Sequence, residues 1–286
     1  MIVDFHTHTF PDAIAAAAVS RLQNASHTRP FTDGTAAALR RSMARAGICW
    51  SLVMPVATDP RQVEHINDAA ARTNAAAETG IFSFGCMHPD FAGALAELGR
   101  IAELGLKGVK LHPPYQGADL DDPRYLRILD RAGELGLIVL VHAGLDVGLP
   151  GADRCAPEMV LRALGAVGPV KLVLAHMGGW RQWDRVERLL PGSGVYLDTS
   201  FSLGTMTPNG DGHYKTAAEL ELLSDADFLR MVRAFGADRV LFGTDCPWAD
   251  QAAEVRRLRA LPLTEAEKTA ILGENARALL GLPGEN

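Results

Sequence analysis

Met1-Ile-Val-Asp-Phe-His-Thr-His8 opens the chain, and its period of two decides how everything after it is read. Ile2, Val3 and Phe5 are apolar, while Asp4, His6 and His8 share the other phase of the alternation, the pattern of a β-strand. Side chains two apart on a strand project to one face, so His6 and His8 stand side by side. Paired imidazoles at a strand end suit a divalent ion. A lone His-x-His favours two solvated histidines near a terminus, so the later strands must decide.

Working outward, apolar runs at 48–56, 81–87, 108–112, 137–142, 170–176, 194–200 and 239–245 read as further strands. Helical stretches separate them, at 12–23, 35–46, 60–78, 91–104, 123–135, 157–164 and 180–190, with a closing helix over 264–280. Thr264-Glu-Ala-Glu267 is its capping box. Continuous apolar strands alternating with helices argue a parallel sheet covered on its outer face. Eight strand–helix units in this length point to a single α/β domain over 1–286, a closed (β/α)8 TIM barrel, with an open doubly wound sheet as the competitor. The long irregular stretch at 201–221 reads either as a flap over the barrel mouth or as an ordered surface excursion.

Composition narrows the partners. The chain has 286 residues, 48% of them hydrophobic, and a formal charge of −6, which gives no support for binding nucleic acid or an acidic membrane. No apolar run reaches the ~18 residues of a membrane span. Cys49, Cys86, Cys155 and Cys246 form no Cys-x-x-Cys pair. A soluble, cytoplasmic protein without a leader, acting on a small molecule, is the expectation.

Polar chemistry gathers at the expected strand ends, where barrel active sites lie. Among nine histidines, His6, His8, His112, His142 and His176 close strands and His88 follows one, whereas His27, His65 and His213 fall in loops or on a helix. His6, His8 and His142 with Asp245 make an open set of three nitrogens and a carboxylate for one Zn²⁺, with Mn²⁺ or another divalent ion as the variant. His176 is the candidate proton carrier. Lys110 and His112 share a phase; His112 and Tyr115 are expected to line a substrate pocket, and Lys110 to pair with a buried carboxylate such as Asp4 or Asp198. Trp180 and Trp248 are candidate walls for a planar substrate, Arg61, Arg154 and Arg181 candidate carboxylate clamps, and Cys246 a small buried residue rather than a nucleophile.

Asp4-Phe-His-Thr-His8, Val141-His-Ala-Gly144, Leu174-Ala-His-Met-Gly-Gly179 and Phe242-Gly-Thr-Asp-Cys-Pro-Trp248 together resemble the amidohydrolase superfamily. The branch they resemble includes aminocarboxymuconate-semialdehyde decarboxylase, resorcylate decarboxylases and small metal-dependent hydrolases. The resemblance runs from Asp4 to Gly273-Glu-Asn-Ala276. It implies one divalent metal on His6, His8, His142 and Asp245, a role for His176 in activating water or orienting substrate, and a homodimer. In decarboxylating members the residue matching Asp245 also handles a proton. Some members bridge two metals with a carboxylated lysine, a reading that would bring in Lys110.

Three functions follow. The leading expectation is a zinc-dependent hydrolase attacking an amide, lactone or ester-like bond with metal-activated water. The alternative is a non-oxidative decarboxylase of a small aromatic or unsaturated acid, using the same ligands. A barrel that merely binds metal is the third, disfavoured because structural zinc sites are closed and sulfur-rich.

Overall fold

Short strands alternating for the most part with helices make up the computed structural model of the chain, which describes residues 1–76 and 80–282. The order is β1 (Val3–Thr7), α1 (Asp12–Ser26), α2 (Ala36–Ala46), β2 (Trp50–Val53), α3 (Val63–Ala75), β3 (Ile81–Ser83), β4 (Gly85–Cys86), α4 (Ala94–Glu103), β5 (Gly108–Leu111), α5 (Pro113–Gln116) and α6 (Pro123–Glu134). There follow β6 (Ile138–Val141), α7 (Pro157–Ala166), β7 (Lys171–Leu174), α8 (Trp183–Leu189), β8 (Tyr196–Asp198), α9 (Ala217–Leu220), α10 (Asp225–Phe235), β9 (Val240–Leu241), α11 (Gln251–Ala260), α12 (Glu265–Thr269) and α13 (Asn275–Leu280). None of the described helices is long and apolar enough to cross a membrane.

The caps behave as the sequence says. Thr35 accepts the Ala38 N–H at the start of α2, and Gly47 ends it at φ 68°. Thr264 and Glu267 form the expected box. Three departures have physical causes. The strand expected over 81–87 is broken into β3 and β4, because Asn74 takes both backbone groups of Ser83 and Asn67 takes the Cys86 N–H. Pro113 does not merely stop β5 but starts α5, its fixed φ suiting a first helical position. The closing helix contains a π-turn at Ala270–Glu274, where Asn275 Nδ2 donates to the Ala237 and Val240 carbonyls at 2.7 and 2.8 Å. Helices α10 and α11 have no counterpart among the elements expected from the sequence. The helix expected to end at 78 closes at Ala75, and its remainder lies outside the described residues.

The chain forms two compact units. Unit 1 comprises residues 1–53, 79–81 and 198–286. Here β1 runs parallel to β2, with Val3 opposite Trp50 and Asp4 opposite Ser51. On its other edge β1 bonds to the strand that leads to Asp245: Phe5 N–H to the Phe242 carbonyl at 2.8 Å, Asp245 N–H to His6 at 2.8 Å, His8 N–H to Cys246 at 2.7 Å. Gly273 admits the chain start closely, since a Cβ there would lie 2.4 Å from the Met1 carbonyl.

The 201–221 stretch is tied to its own unit at several points. Bridges join Thr205 to Glu221 and Thr28 to Pro208, Tyr214 donates to the Ser26 carbonyl at 2.8 Å, and His27 Nδ1 pairs with Asp211 at 2.6 Å. Beneath it lies a cavity of about 330 Å³ lined by Phe31, Phe201, Met206, Trp248, Glu254 and Arg257. Burial pushes the Glu254 carboxyl up to about 7, Arg257 pulling the other way. Its folded-state value exceeds the unfolded one, so the folded chain holds a proton that the unfolded chain releases, and stability falls as pH rises from about 4.5 to about 7. Glu254→Gln is expected to remove a pH-dependent loss on the order of 2 kcal/mol across that window, read from urea unfolding at pH 5 and pH 8.

Unit 2 comprises residues 54–78 and 82–197. Strands β4 to β8 run parallel in sequence order, with Lys110 opposite Leu140 and Leu140 opposite Val173, then Leu111 opposite Val141, Val141 opposite Leu174 and Leu174 opposite Leu197. Phe84, Leu98, Ile101, Tyr125 and Ile128 are fully buried in its core.

Candidate metal centre

Strand phase puts His6 and His8 on one face of β1, and the ladder brings Asp245 beside them. His6 Nε2 and His8 Nε2 are 3.3 Å apart, and Asp245 Oδ1 lies 3.1 Å from His8 Nε2 and 3.6 Å from His6 Nε2. Donors sharing one ion at bonds of about 2.0–2.2 Å sit about 3–3.5 Å from one another, so the trio fits a divalent ion of the zinc or manganese type. Asp245 holds its place at φ 65°, a left-handed conformation that aspartate tolerates better than most residues.

Behind the trio, two buried carboxylates orient it. Asp198 Oδ2 is 2.8 Å from His6 Nδ1, and both side chains are 0% exposed. That pairing keeps the proton on Nδ1 and turns Nε2 toward the ion site. Ser200 reinforces it, its Oγ donating to Asp198 and standing 3.0 Å from His6 Nδ1. Asp4 clasps β1 to the Asp245 strand: it accepts from the His6 N–H (3.2 Å), the Thr244 N–H (3.0 Å) and hydroxyl (2.6 Å), and Gln251 Nε2 (2.7 Å). Burial pushes the Asp4 carboxyl up to about 7, against the pull of those donors. Ser200 and Gln251 were not singled out in the sequence, where nothing marks a hydroxyl or amide as facing a strand 194 or 247 residues away.

Unit 2 assembles the remaining histidines. His112 and His142 each follow a position of the Leu111–Val141 pair, so their rings stack at 4.2 Å and 20°. His176 comes one residue later relative to its pair, and a left-handed turn (φ 59°) brings it back, Nε2 meeting His142 Nδ1 at 3.0 Å. Trp183 Nε1 donates to the His176 carbonyl at 3.0 Å and supports that turn. The Tyr115 ring lies against His112, with centroids 4.4 Å apart and planes tilted by 56°. Asp146, absent from the expected site, has Oδ2 at 3.5 Å from both His112 Nε2 and His142 Nε2. It lies in an aperiodic loop, which is why no pattern flagged it.

Gly144 holds this loop in place. At φ 81° it abuts the Trp180 backbone, and a Cβ there would lie 2.3 Å from Trp180 N. Trp180 is thereby a strut of unit 2, its N–H bonded to the Ala143 carbonyl at 2.9 Å. Gly144→Ala is expected to cost about 2–4 kcal/mol, lowering the thermal midpoint by several degrees, through combined left-handed strain and overlap.

The other candidates divide clearly. Lys110 is fully buried on β5, and Trp248 borders the unit 1 cavity. Cys246 is buried, its thiol pushed up to about 12 by burial, which suits packing and not nucleophilic attack. Arg61 and Arg154 are taken up by Asp59 and Asp119, and Arg181 lies over the Trp180 ring at 5.0 Å.

Comparison with known proteins agrees with this architecture. A family profile for amidohydrolases matches residues 3–282. The 2-amino-3-carboxymuconate-6-semialdehyde decarboxylase of Dictyostelium discoideum is 27% identical over 211 residues, 66% of this chain and 57% of that protein, so the match spans little more than half of the relative's length. An uncharacterised TIM-barrel protein from Bordetella bronchiseptica superposes with a TM-score of 0.72 at 20% identity, covering 98% of each chain. A 5-carboxyvanillate decarboxylase from Novosphingobium aromaticivorans, solved with bound manganese, superposes at 0.68 with 17% identity over 99% of this chain and 97% of that one. The fold is therefore the (β/α)8 barrel that the strand count implied. With its strand-end histidines, the Asp245 carboxylate and a profile match over nearly its whole length, this chain belongs to the amidohydrolase family.

Proposed function

We propose that the protein is a metal-dependent, non-oxidative decarboxylase of a small aromatic or unsaturated carboxylic acid. The observation that carries this reading is the His6–His8–Asp245 trio, spaced for one ion and backed by the buried Asp198. The choice between decarboxylation and the hydrolysis first expected rests on the relatives: the same donors serve either reaction, and decarboxylases stand among the proteins the chain resembles. Zinc and manganese both suit two imidazoles and a carboxylate, and the manganese of the Novosphingobium enzyme supports testing both. A homodimer that binds neither nucleic acid nor membrane completes the proposal.

When bound, the divalent ion supplies positive charge that anchors an anionic substrate and offsets charge building on it. The chain does the rest. Asp198 and Ser200 hold His6 in one tautomer, and Asp4 keeps β1 in register with the strand carrying Asp245. The bond that breaks joins the substrate carbon to its carboxylate. Its electron pair stays on that carbon, carbon dioxide leaves, and a proton must arrive to replace it. Asp245 is the group of unit 1 placed to hold and deliver that proton, and His176 is the corresponding imidazole of unit 2.

The test incubates zinc- and manganese-loaded protein with hydroxybenzoates and unsaturated dicarboxylic acids in D₂O. Release of carbon dioxide with one deuterium at the vacated carbon is expected. Turnover of lactones or amides without carbon dioxide release from any acid would overturn the reading in favour of hydrolysis.

A further inference from the structure

The cavity beneath the 201–221 stretch lies wholly within unit 1, and its lining is of two kinds. Phe31, Phe201 and Trp248 give it aromatic walls, while α11 contributes Asp250, Glu254 and Arg257. About 330 Å³ is room for a small organic molecule, and none of His6, His8 and Asp245 lines it.

Two of the three charges on α11 are already committed. Asp250 caps the helix, its Oδ1 accepting the Ala252 N–H at 3.0 Å. Arg257 Nη1 donates to Asp225 at 2.8 Å, and Gly204 stands against the guanidinium, where a Cβ would lie 2.2 Å from Nη2. Glu254 differs: among the described residues its carboxyl makes no hydrogen bond and no ion pair, and Arg257 acts on it only at longer range. A carboxyl withdrawn from water without a donor is costly to ionise, which is why it holds its proton up to about 7. Asp250 and Asp4 add to that push, and Arg257 opposes it.

We propose that this cavity binds a small organic ammonium ion, its charge on Glu254 and an apolar body the size of one aromatic ring against Phe31, Phe201 and Trp248. An ammonium group brings the donors and the positive charge that Glu254 lacks. Aromatic walls favour the same sign, because ring faces attract cations. A carboxylate would instead meet Asp250 and Glu254, and the guanidinium that would receive it is held by Asp225. The charge selected here is opposite to that of the acid expected at the metal centre, and the site stands whichever reaction the protein catalyses.

Titration calorimetry of the metal-loaded protein at pH 8 with benzylamine, benzyl alcohol and benzoate tests it. Benzylamine is expected to bind with a dissociation constant of about 1 mM or tighter, and benzyl alcohol at least about tenfold more weakly. Glu254→Gln should erase that preference for the amine. Ala253→Phe fills the cavity from α11 without touching a charge, so it should abolish amine binding and keeps the test decisive if the first variant folds poorly. Amine binding that survives both substitutions would overturn the site. So would benzoate binding that is tighter than benzylamine binding and is abolished by Ala253→Phe, or the absence of any benzylamine binding at about 10 mM.

Discussion

Asp245→Asn is expected to abolish metal retention at the His6–His8 centre and to reduce turnover by more than the about 10–100-fold typical of losing an outer hydrogen-bond partner. The substitution removes the one formal negative charge of the trio while preserving shape, and asparagine accepts the left-handed backbone found there (φ 65°) as readily as aspartate. Folding should therefore be nearly unaffected. A neutral amide oxygen is a weaker ligand, and it cannot hold or return a proton. The measurements are metal content after gel filtration, carbon dioxide release, and the thermal midpoint. Full turnover with full metal content would remove Asp245 from both roles, whereas loss of all three would mean that the residue is chiefly structural.

Asp198→Asn is expected to weaken metal binding about 10–100-fold and to destabilise the fold at the same time. His6 and Asp198 are both fully buried and 2.8 Å apart, so the carboxylate does two things: it satisfies a buried donor and raises the basicity of Nε2. An amide can present its oxygen either to His6 Nδ1 or to the Ser200 donors, but its other end must then face a donor with an N–H. One buried mismatch costs about 1–3 kcal/mol. Added zinc or manganese should recover part of the lost activity and part of the thermal midpoint, because an ion that binds the folded state stabilises it by mass action. Unchanged metal affinity alongside a lowered midpoint would confine Asp198 to packing.

Legibility in the sequence followed the range of the interactions. His6 and His8 could be placed together because a strand's two-residue period is local. The ends of β5, β6 and β7 could be read as histidine-bearing because apolar runs stop there. Asp245 was read from its place at the end of the apolar run 239–245, of which only Val240–Leu241 is strand in the fold. The helix cap at Thr264 was likewise decided within three residues. By contrast, Asp146 sits in a loop whose path depends on Gly144 against Trp180, and no periodicity reports that contact. The breaks at Phe84 and at Ala270–Glu274 come from Asn67, Asn74 and Asn275, amides that reach backbone groups of other elements.

What the sequence determined by itself was most of the strand and helix order, the family, and the gathering of histidines at strand ends, with His6, His8, His142 and Asp245 the expected ligands of one metal. Tertiary structure alone decided the tautomer-setting role of Asp198 and Ser200, the clasp made by Asp4 with Thr244 and Gln251, and the grouping of His112, His142, His176 and Asp146. The physical reason is one of distance. Backbone period and capping are governed by neighbours in the chain, whereas register between strands, and the meeting of His176 with His142 34 residues away, are set by contacts beyond that range.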